Sequence, residues 1–315
     1  MRVIVTVTAN PSLDRTVQVR KLVRGGLNRA SSIRVDPGGK GINVARALAQ
    51  HGVDVRAVVA AGGIEGQQLV ALLAGLSIDV LRVPAVGPVR INMSVVEPDA
   101  TVTKFNEPGA LLDAGDARAL CEAVLRSADG ANWVVIAGSL PPGVSSAYYA
   151  GLIRMIGSLG VPVVVDTSGP ALHEAVQARP ALVKPNLREL EETVGHSITT
   201  IGGVVDAADE ILELGADTVL ASLGADGALL RGHDGCGYAE APVTAQNAVG
   251  AGDALLAGYL SEGCGGLPAL VTAVAWGAAA ASLPGSAMPQ PHDLRPDLVR
   301  VESRVPWDRR LHRDP

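Results

Sequence analysis

Asn247-Ala-Val-Gly250-Ala251-Gly252-Asp253 stands directly before the helical run ALLAGYL. Glycines ahead of a helix leave backbone N–H groups unobstructed, and the helix start adds partial positive charge. Together they can receive a phosphate or a developing anion. Asp253 enters the same first turn, within reach of a hydroxyl aimed at that phosphate. An Asp favoured by a helix N-terminus is the plainer account of the same residues. A second segment, Asp36-Pro37-Gly38-Gly39-Lys40-Gly41-Ile42-Asn43, sets three glycines around a lysine before another helix. It does not have the P-loop spacing, which needs Lys followed by Ser or Thr. Neither Lys40 nor Asn43 is required for a structural turn. In Lys184-Pro185-Asn186-Leu187-Arg188-Glu189, Asn186 and Glu189 share one face of a first helical turn. An amide and a carboxylate so placed could hold water around Mg²⁺ beside a triphosphate, although N-x-x-E is also a capping box. Ser222-Leu223-Gly224-Ala225-Asp226-Gly227 is a Gly-rich turn between two strand-like runs.

These segments need a scaffold, and the chain supplies an alternation of short apolar runs and helical patterns. The runs are residues 3–9, 55–61, 133–138, 161–166, 181–185 and 217–223. Between them lie Ala/Leu-rich stretches such as INVARALAQHG, DARALCEAVLRSA and VVDAADEILELG, the last with its acids on one face. Apolar strands separated by helices predict an α/β fold, a mostly parallel sheet with helices on both faces. No Rossmann fingerprint follows the first run, where Asn10-Pro11-Ser12 stands instead. Two stretches, Thr16 to Val35 and Val89 to Phe105, alternate apolar with polar residues, and Glu97-Pro98-Asp99-Ala100 marks a turn in the second. They predict half-buried antiparallel strands in a small sheet, a lid inserted at about 14–36 and 89–107 of a single domain spanning 1–315. The charged tail is expected to fray at its end.

Composition narrows the function. With 26 basic and 32 acidic residues the net charge is −6, which leaves no electrostatic footprint for nucleic acid. Aromatics at 3% argue against base-stacking platforms. Three well-separated cysteines, Cys121, Cys236 and Cys264, fit a reduced, cytoplasmic setting without a disulfide framework. The uncharged stretch from Gly263 to Pro291 is rich in Ala and Gly, interrupted by Pro268 and Pro284, and reads as a buried helix, not a membrane span. Many glycines, 37 in all, suggest places where backbone must approach a ligand closely.

All these signals occur in one order along the chain, and in that order they resemble the PfkB (ribokinase-like) family of carbohydrate kinases. The resemblance runs from NPSLD at Asn10 through PGGKGINVA to NAVGAGD, and more weakly to about Leu283. NPSLD, the NRAS stretch at Asn28, PGGKGINVARAL and TKFNEPG look most like the 1-phosphofructokinases, with tagatose-6-phosphate kinases and minor 6-phosphofructokinases close behind. The resemblance implies a ribokinase-like fold and ATP-dependent phosphorylation of the C6 hydroxyl of fructose 1-phosphate. It implies Asp253 as catalytic base, and the amides of Gly250, Ala251 and Gly252 as stabilisers of the transferring charge. Ser222, Gly224, Ala225, Gly227, Gly252 and Asn186 would hold ATP, and Asn186 and Glu189 would arrange waters of Mg²⁺. Asp14, Gly38, Gly39 and Asn43 would bind sugar hydroxyls. Arg29, Lys40, Arg90 and Lys104, with Ser139 as a neutral donor, are the candidates for the substrate phosphate. Minor 6-phosphofructokinases typically carry glycine at the place of Lys40, which points away from fructose 6-phosphate. A kinase for an unphosphorylated sugar or nucleoside, and a catalytically silent nucleotide-binding regulator, are the other readings. A homodimer through the lid sheets is expected from Val17, Val19, Ile91 and Val95 in alternation.

Overall fold

The computed structural model describes residues 3–99, 101–233, 235–243, 249–302 and 304–312. Each of the six apolar runs forms a strand: β1 (Ile4–Thr8), β4 (Val55–Gly62), β8 (Trp133–Ala137), β9 (Val163–Asp166), β10 (Leu182–Val183) and β11 (Thr218–Ser222). These strands pair in parallel. The sequence reading left out β5 (Asp79–Pro88), which extends the sheet in parallel beyond β4. At the other edge β12 (Ala228–Gly232), β13 (Gly235–Glu240) and β14 (Arg300–Glu302) follow β11 in antiparallel pairing. The order across the sheet is β14-β13-β12-β11-β10-β9-β8-β1-β4-β5.

Successive side chains of these strands serve opposite faces, so apolar residues are needed on both. Val134 and Ile136 of β8 enter one core, whereas Val135 and Ala137 enter the other. The first core is closed by α3 (Ala114–Ala128), α4 (Tyr148–Gly157), α5 (Gly169–Val176), α6 (Leu187–Val194) and α7 (Ile201–Leu214), through residues such as Leu120, Tyr149 and Ile211. The second is closed by α1 (Lys40–Gln50), α2 (Gly63–Leu73), α8 (Ala251–Ser261) and α9 (Gly266–Ala281), through Ile42, Leu69, Leu256 and Trp276. Each such burial contributes about 1.5–3 kcal/mol. The Ala-rich segment is α9, and its small side chains let it lie tightly on α8. A Cβ on Gly258 would sit 2.9 Å from the Thr272 carbonyl oxygen and from Trp276 Cγ. Among the described residues no helix is long and apolar enough to cross a membrane.

The two alternating stretches build a separate four-stranded sheet, ordered β3-β2-β6-β7, from β2 (Ser12–Val19), β3 (Ala30–Gly38), β6 (Arg90–Val96) and β7 (Val102–Asn106). Its hairpins are antiparallel, but β2 and β6 pair in parallel, which corrects the all-antiparallel expectation. The reason is topological: β2 continues β1 and β6 continues β5, two strands that already run the same way in the main sheet. Register puts Asp36, Asp14, Asn92 and Asn106 in one cross-strand row and Arg34, Thr16, Ser94 and Lys104 in the next. These polar rows face one side of the sheet. On the opposite side Val19 and Val95 are covered within the chain, while Ile33 and Phe105 are 62% and 57% exposed.

The end of the charged tail, residues 313–315, lies outside the described residues. The tail before it contributes β14 and continues to His312 with hydrogen bonds to the body of the protein.

Candidate active site

The chemistry-bearing segments converge at the C-terminal ends of the parallel strands, where loops and helix starts of an α/β sheet meet. Gly250 adopts a left-handed φ of 80°, which turns the chain into α8 without a side-chain cap. The first-turn amides of Ala251, Gly252 and Asp253 therefore have no intrahelical acceptor. Asn247 and Ala248 of this motif lie outside the described residues. Asp253, 7% exposed, accepts a 2.8 Å hydrogen bond at Oδ2 from Asn43 Nδ2. The orientation of that amide is fixed by Arg46, whose Nη1 donates to Asn43 Oδ1 at 3.2 Å and to the Pro37 carbonyl at 3.2 Å.

Lys40 reaches from the start of α1 into the same group. Its Nζ lies 2.7 Å from Asp166 Oδ1 and 3.2 Å from Glu189 Oε1, and Lys184 Nζ lies 3.2 Å from Asp166 Oδ2. Glu189 does two things at once. Its Oε2 accepts from the Asn186 N–H while Asn186 Oδ1 accepts from the Glu189 N–H, a reciprocal capping box at the start of α6, and its Oε1 holds Lys40. The capping account of N-x-x-E is the one seen here, and the same Glu189 side chain also pairs with Lys40.

Burial sets the proton affinities here, and the neighbours then split them. Burial pushes the Asp253 carboxyl up and the Asp166 charge adds to it, against opposing pulls from Lys40, Asn43 and Lys184, to about 6. Asp166 is buried as well, which alone would raise it, but the two lysines hold it below the usual carboxylate range. Burial favours a neutral Lys40, yet Asp166, Glu189 and Asp253 outweigh that and hold its ammonium above the ordinary lysine value. Two carboxylates in one site are thereby pushed apart, one committed as counter-ion and one able to exchange a proton near neutral pH.

Two clefts flank this buried group. One, of about 550 Å³, lies under the polar face of the small sheet and is lined by Asp14, Arg34, Asn92, Lys104, Val249 and Ser286 among others. Asp14 accepts from Ser12 Oγ and Asn92 Nδ2, and packs so tightly on Gly38 that a Cβ there would meet its carboxyl at 2.4 Å. Gly39, at φ 113°, takes a backbone conformation suited to glycine. Arg90 and Asn10 line a separate small cavity instead of this cleft: Arg90 donates to the carbonyls of Asn10 and Glu107, and Asn10 Nδ2 donates to Ser139 Oγ at 3.2 Å. The buried Arg90 Nε has no partner among the described residues. Burial lowers the proton affinity of this guanidinium, against Asp14 and Glu107. Arg29, Arg90 and Ser139 line neither cleft, and Arg29 is exposed beside the start of β3; of the phosphate candidates Lys104 lines the first. The second cleft, of about 340 Å³, is lined by Asn186, Leu187, Arg188, Glu191, Ser222, Leu223, Gly224 and His312. Ala225 and Gly227 belong to the same turn, with Gly227 at φ 82°. The first cleft reaches Val249, just before α8, and the second begins at Asn186, the N-cap of α6.

The family model of the pfkB family carbohydrate kinases matches residues 7–284. The chain belongs to that family. It is 37% identical to a 1-phosphofructokinase of Rhodobacter capsulatus, over 86% of each chain. It is 40% identical to the ATP-dependent 6-phosphofructokinase isozyme 2 of Escherichia coli, over 80% of this chain and 83% of that one. The crystal structure of Escherichia coli phosphofructokinase-2 in complex with substrates and products superposes with a TM-score of 0.87 at 37% identity, covering 93% and 97% of the two chains. The pfkB chain is accordingly a ribokinase-like α/β protein and a sugar-phosphate kinase, a phosphotransferase with an alcohol acceptor. Of its site, the sequence reading missed Asp166, Arg46 and Asn92 and gave Lys184 no role. Asp166 had a signal, since it ends the apolar run of β9, the strand end where such sheets place ligands. Arg46 had none beyond its place one helical turn after Asn43.

Proposed function

We propose that this pfkB kinase transfers the γ-phosphoryl group of ATP to the C6 hydroxyl of fructose 1-phosphate, giving fructose 1,6-bisphosphate and ADP. The observation that carries it is the buried Asp253, hydrogen-bonded by Asn43 and adjoining the uncapped start of α8. Asp253 Oδ1 takes the hydroxyl proton as the new O–P bond forms and the bond from the γ-phosphorus to the β–γ bridging oxygen breaks. General-base help of this kind contributes about 10²–10⁴-fold, and the ideal base titrates near the working pH. The amides of Ala251 and Gly252, with Lys40 and Lys184 close by, stabilise charge on the transferring group.

Ser222, Gly224, Ala225 and Gly227 form the nucleotide wall. No cluster of three or more acidic, His or Cys ligands capable of holding a metal exists among the described residues. Asn186 and Glu189, at the start of α6, would meet waters of Mg²⁺ carried on nucleotide phosphates through acceptor capacity left beside the capping box and Lys40. When bound, Mg²⁺ supplies charge neutralisation on the transferring phosphates. Asp14, Gly38 and Asn43 orient the sugar, and Arg90, Lys104 and Ser139 receive its phosphate. Support for a cationic phosphate site comes from the Arg34–Lys104 row facing the 550 Å³ cleft. Arg29, exposed on its own protomer, belongs to a homodimer built on the apolar side of the small sheet, where Ile33 and Phe105 lie open.

Replacing Asp253 by Asn tests the assigned base. The Asp253→Asn protein should lose turnover by at least about 10²-fold and still bind ADP in calorimetry. Turnover close to that of the unaltered enzyme would remove Asp253 from the chemistry.

A further inference from the structure

Arg46, in the second half of α1, is 8% exposed and takes no part in the proposed chemistry. A guanidinium so buried is costly unless its charge and its donors are met. Among the described residues its hydrogen bonds run to two neutral oxygens and none to a carboxylate. Nη1 donates to the Pro37 carbonyl and to Asn43 Oδ1, each at 3.2 Å. Burial pulls its proton affinity down, against Asp36, Asp14 and Asp253, with Arg34 adding to the lowering. A guanidinium serving only to neutralise those carboxylates would take a bidentate place on one of them. This one is spent on an amide and a peptide carbonyl.

Both acceptors lead to carboxylates of the site. Pro37 opposes Leu13 in the β2–β3 hairpin and precedes Gly38, on which the Asp14 carboxyl packs. Asn43 stands one helical turn before Arg46, and its amide has one accepting and one donating end. Arg46 can only donate, so Oδ1 must face it. Nδ2 is thereby delivered to Asp253 Oδ2 at 2.8 Å. Turned over, the amide would set its oxygen against the carboxylate and withdraw that donor.

We propose that Arg46 is a positioning residue of the phosphoryl transfer, acting through the Asn43 amide on Asp253 and through Pro37 on the turn against which Asp14 packs. The inference rests on the reading of Asp253 as the base. The other charged groups that face Asp253 are Asp166 of β9, Lys40 of α1 and Lys184 after β10, and they act on it whichever way the amide points. Burial and Asp166 favour the protonated carboxyl, and the Asn43 hydrogen bond joins the two lysines in favouring the ionised one. Loss of the amide orientation therefore moves this carboxyl further up, and base function is lost first at the acid end of the working range.

Two substitutions separate orientation from charge. Arg46→Met removes every donor and keeps the apolar stem. The acid limb of its kcat/KM pH profile should move up by about one pH unit or more from that of the unaltered enzyme. Its KM for the sugar phosphate should rise about threefold or more, without a matching rise in KM for ATP. Arg46→Gln loses the charge but keeps an amide donor for Asn43, and its limb should stay within about half a unit of the unaltered one. A limb that does not move in Arg46→Met would overturn the proposal, and so would equal rises in both KM values, the mark of a general loosening. If Arg46→Met does not fold, a limb displaced by about one unit in Arg46→Gln would overturn it, because charge and not amide orientation would then set the base. Asp253→Asn tells the two failures apart. Turnover retained in that protein removes the base, and this inference with it. Turnover lost there, beside an unmoved limb in Arg46→Met, leaves the base standing and Arg46 without its role.

Discussion

At the scale of single residues the site is governed by two buried carboxylates with opposite fates. Asp166 lies between Lys40 and Lys184 and is held ionised. Its depressed proton affinity makes its contribution to stability present above the ordinary carboxylate range and lost as pH falls through its lowered value. Asp253 goes the other way: burial and Asp166 push it up to about 6, so its ionised form is disfavoured by folding. Only the ionised form can accept the hydroxyl proton. kcat/KM should therefore rise with pH and level off above about 6, since this profile reports groups of the free enzyme. The measurement is kcat/KM from pH 5 to 9 with neither substrate saturating. An acid limb centred near 4, the value of an unperturbed carboxylate, would show that burial does not set the base.

At the scale of elements, two glycines of one motif do different work. In Pro37-Gly38-Gly39-Lys40-Gly41 a Cβ on Gly38 would meet the Asp14 carboxyl at 2.4 Å, whereas one on Gly41 would meet Thr8 Oγ1 at 2.5 Å and the Val7 carbonyl oxygen at 2.8 Å. Gly38 thus admits the Asp14 carboxylate, and Gly41 admits α1 onto β1. Gly38→Ala should lower kcat/KM on the order of 10²-fold by displacing Asp14, with little change in melting temperature. Gly41→Ala should instead destabilise the fold by about 1–3 kcal/mol. Thermal melts and kinetics on the pair check this, and equal losses in both readouts would refute the division. The same motif shows what the sequence made legible. Its glycines and Asn43 could be read as ligand-facing because their types exceed what a turn needs. Arg46 could not, because its role depends on the Asn43 amide orientation, a contact between helix turns that no spacing encodes. Asp226 was likewise visible only as part of a Gly-rich turn, since its partners come from residues 309–312 at the far end of the chain. The parallel β2–β6 pairing is a further case. Alternation shows that a strand is half-buried but says nothing of direction, which was inherited from β1 and β5.

At the scale of the molecule, the small sheet presents polar rows to a cleft and apolar side chains to the outside. Ile33 and Phe105 are exposed on the two edge strands of the small sheet. The proposed homodimer covers them and brings Arg29, which no cleft of its own protomer uses, to a neighbouring site. Sedimentation should show a dimer for the unaltered chain and a shift toward monomer for Phe105→Asp. A monomer in both would leave Arg29 without a role in the substrate site. The central claim concerns the sugar phosphate, and one measurement addresses it most directly. Purified enzyme is assayed with saturating Mg-ATP on fructose 1-phosphate, fructose 6-phosphate and tagatose 6-phosphate, and kcat/KM is compared. The expected result is a preference for fructose 1-phosphate of about tenfold or more, a difference of about 1.4 kcal/mol in transition-state stabilisation. A value for fructose 1-phosphate no higher than for the other two would contradict the account.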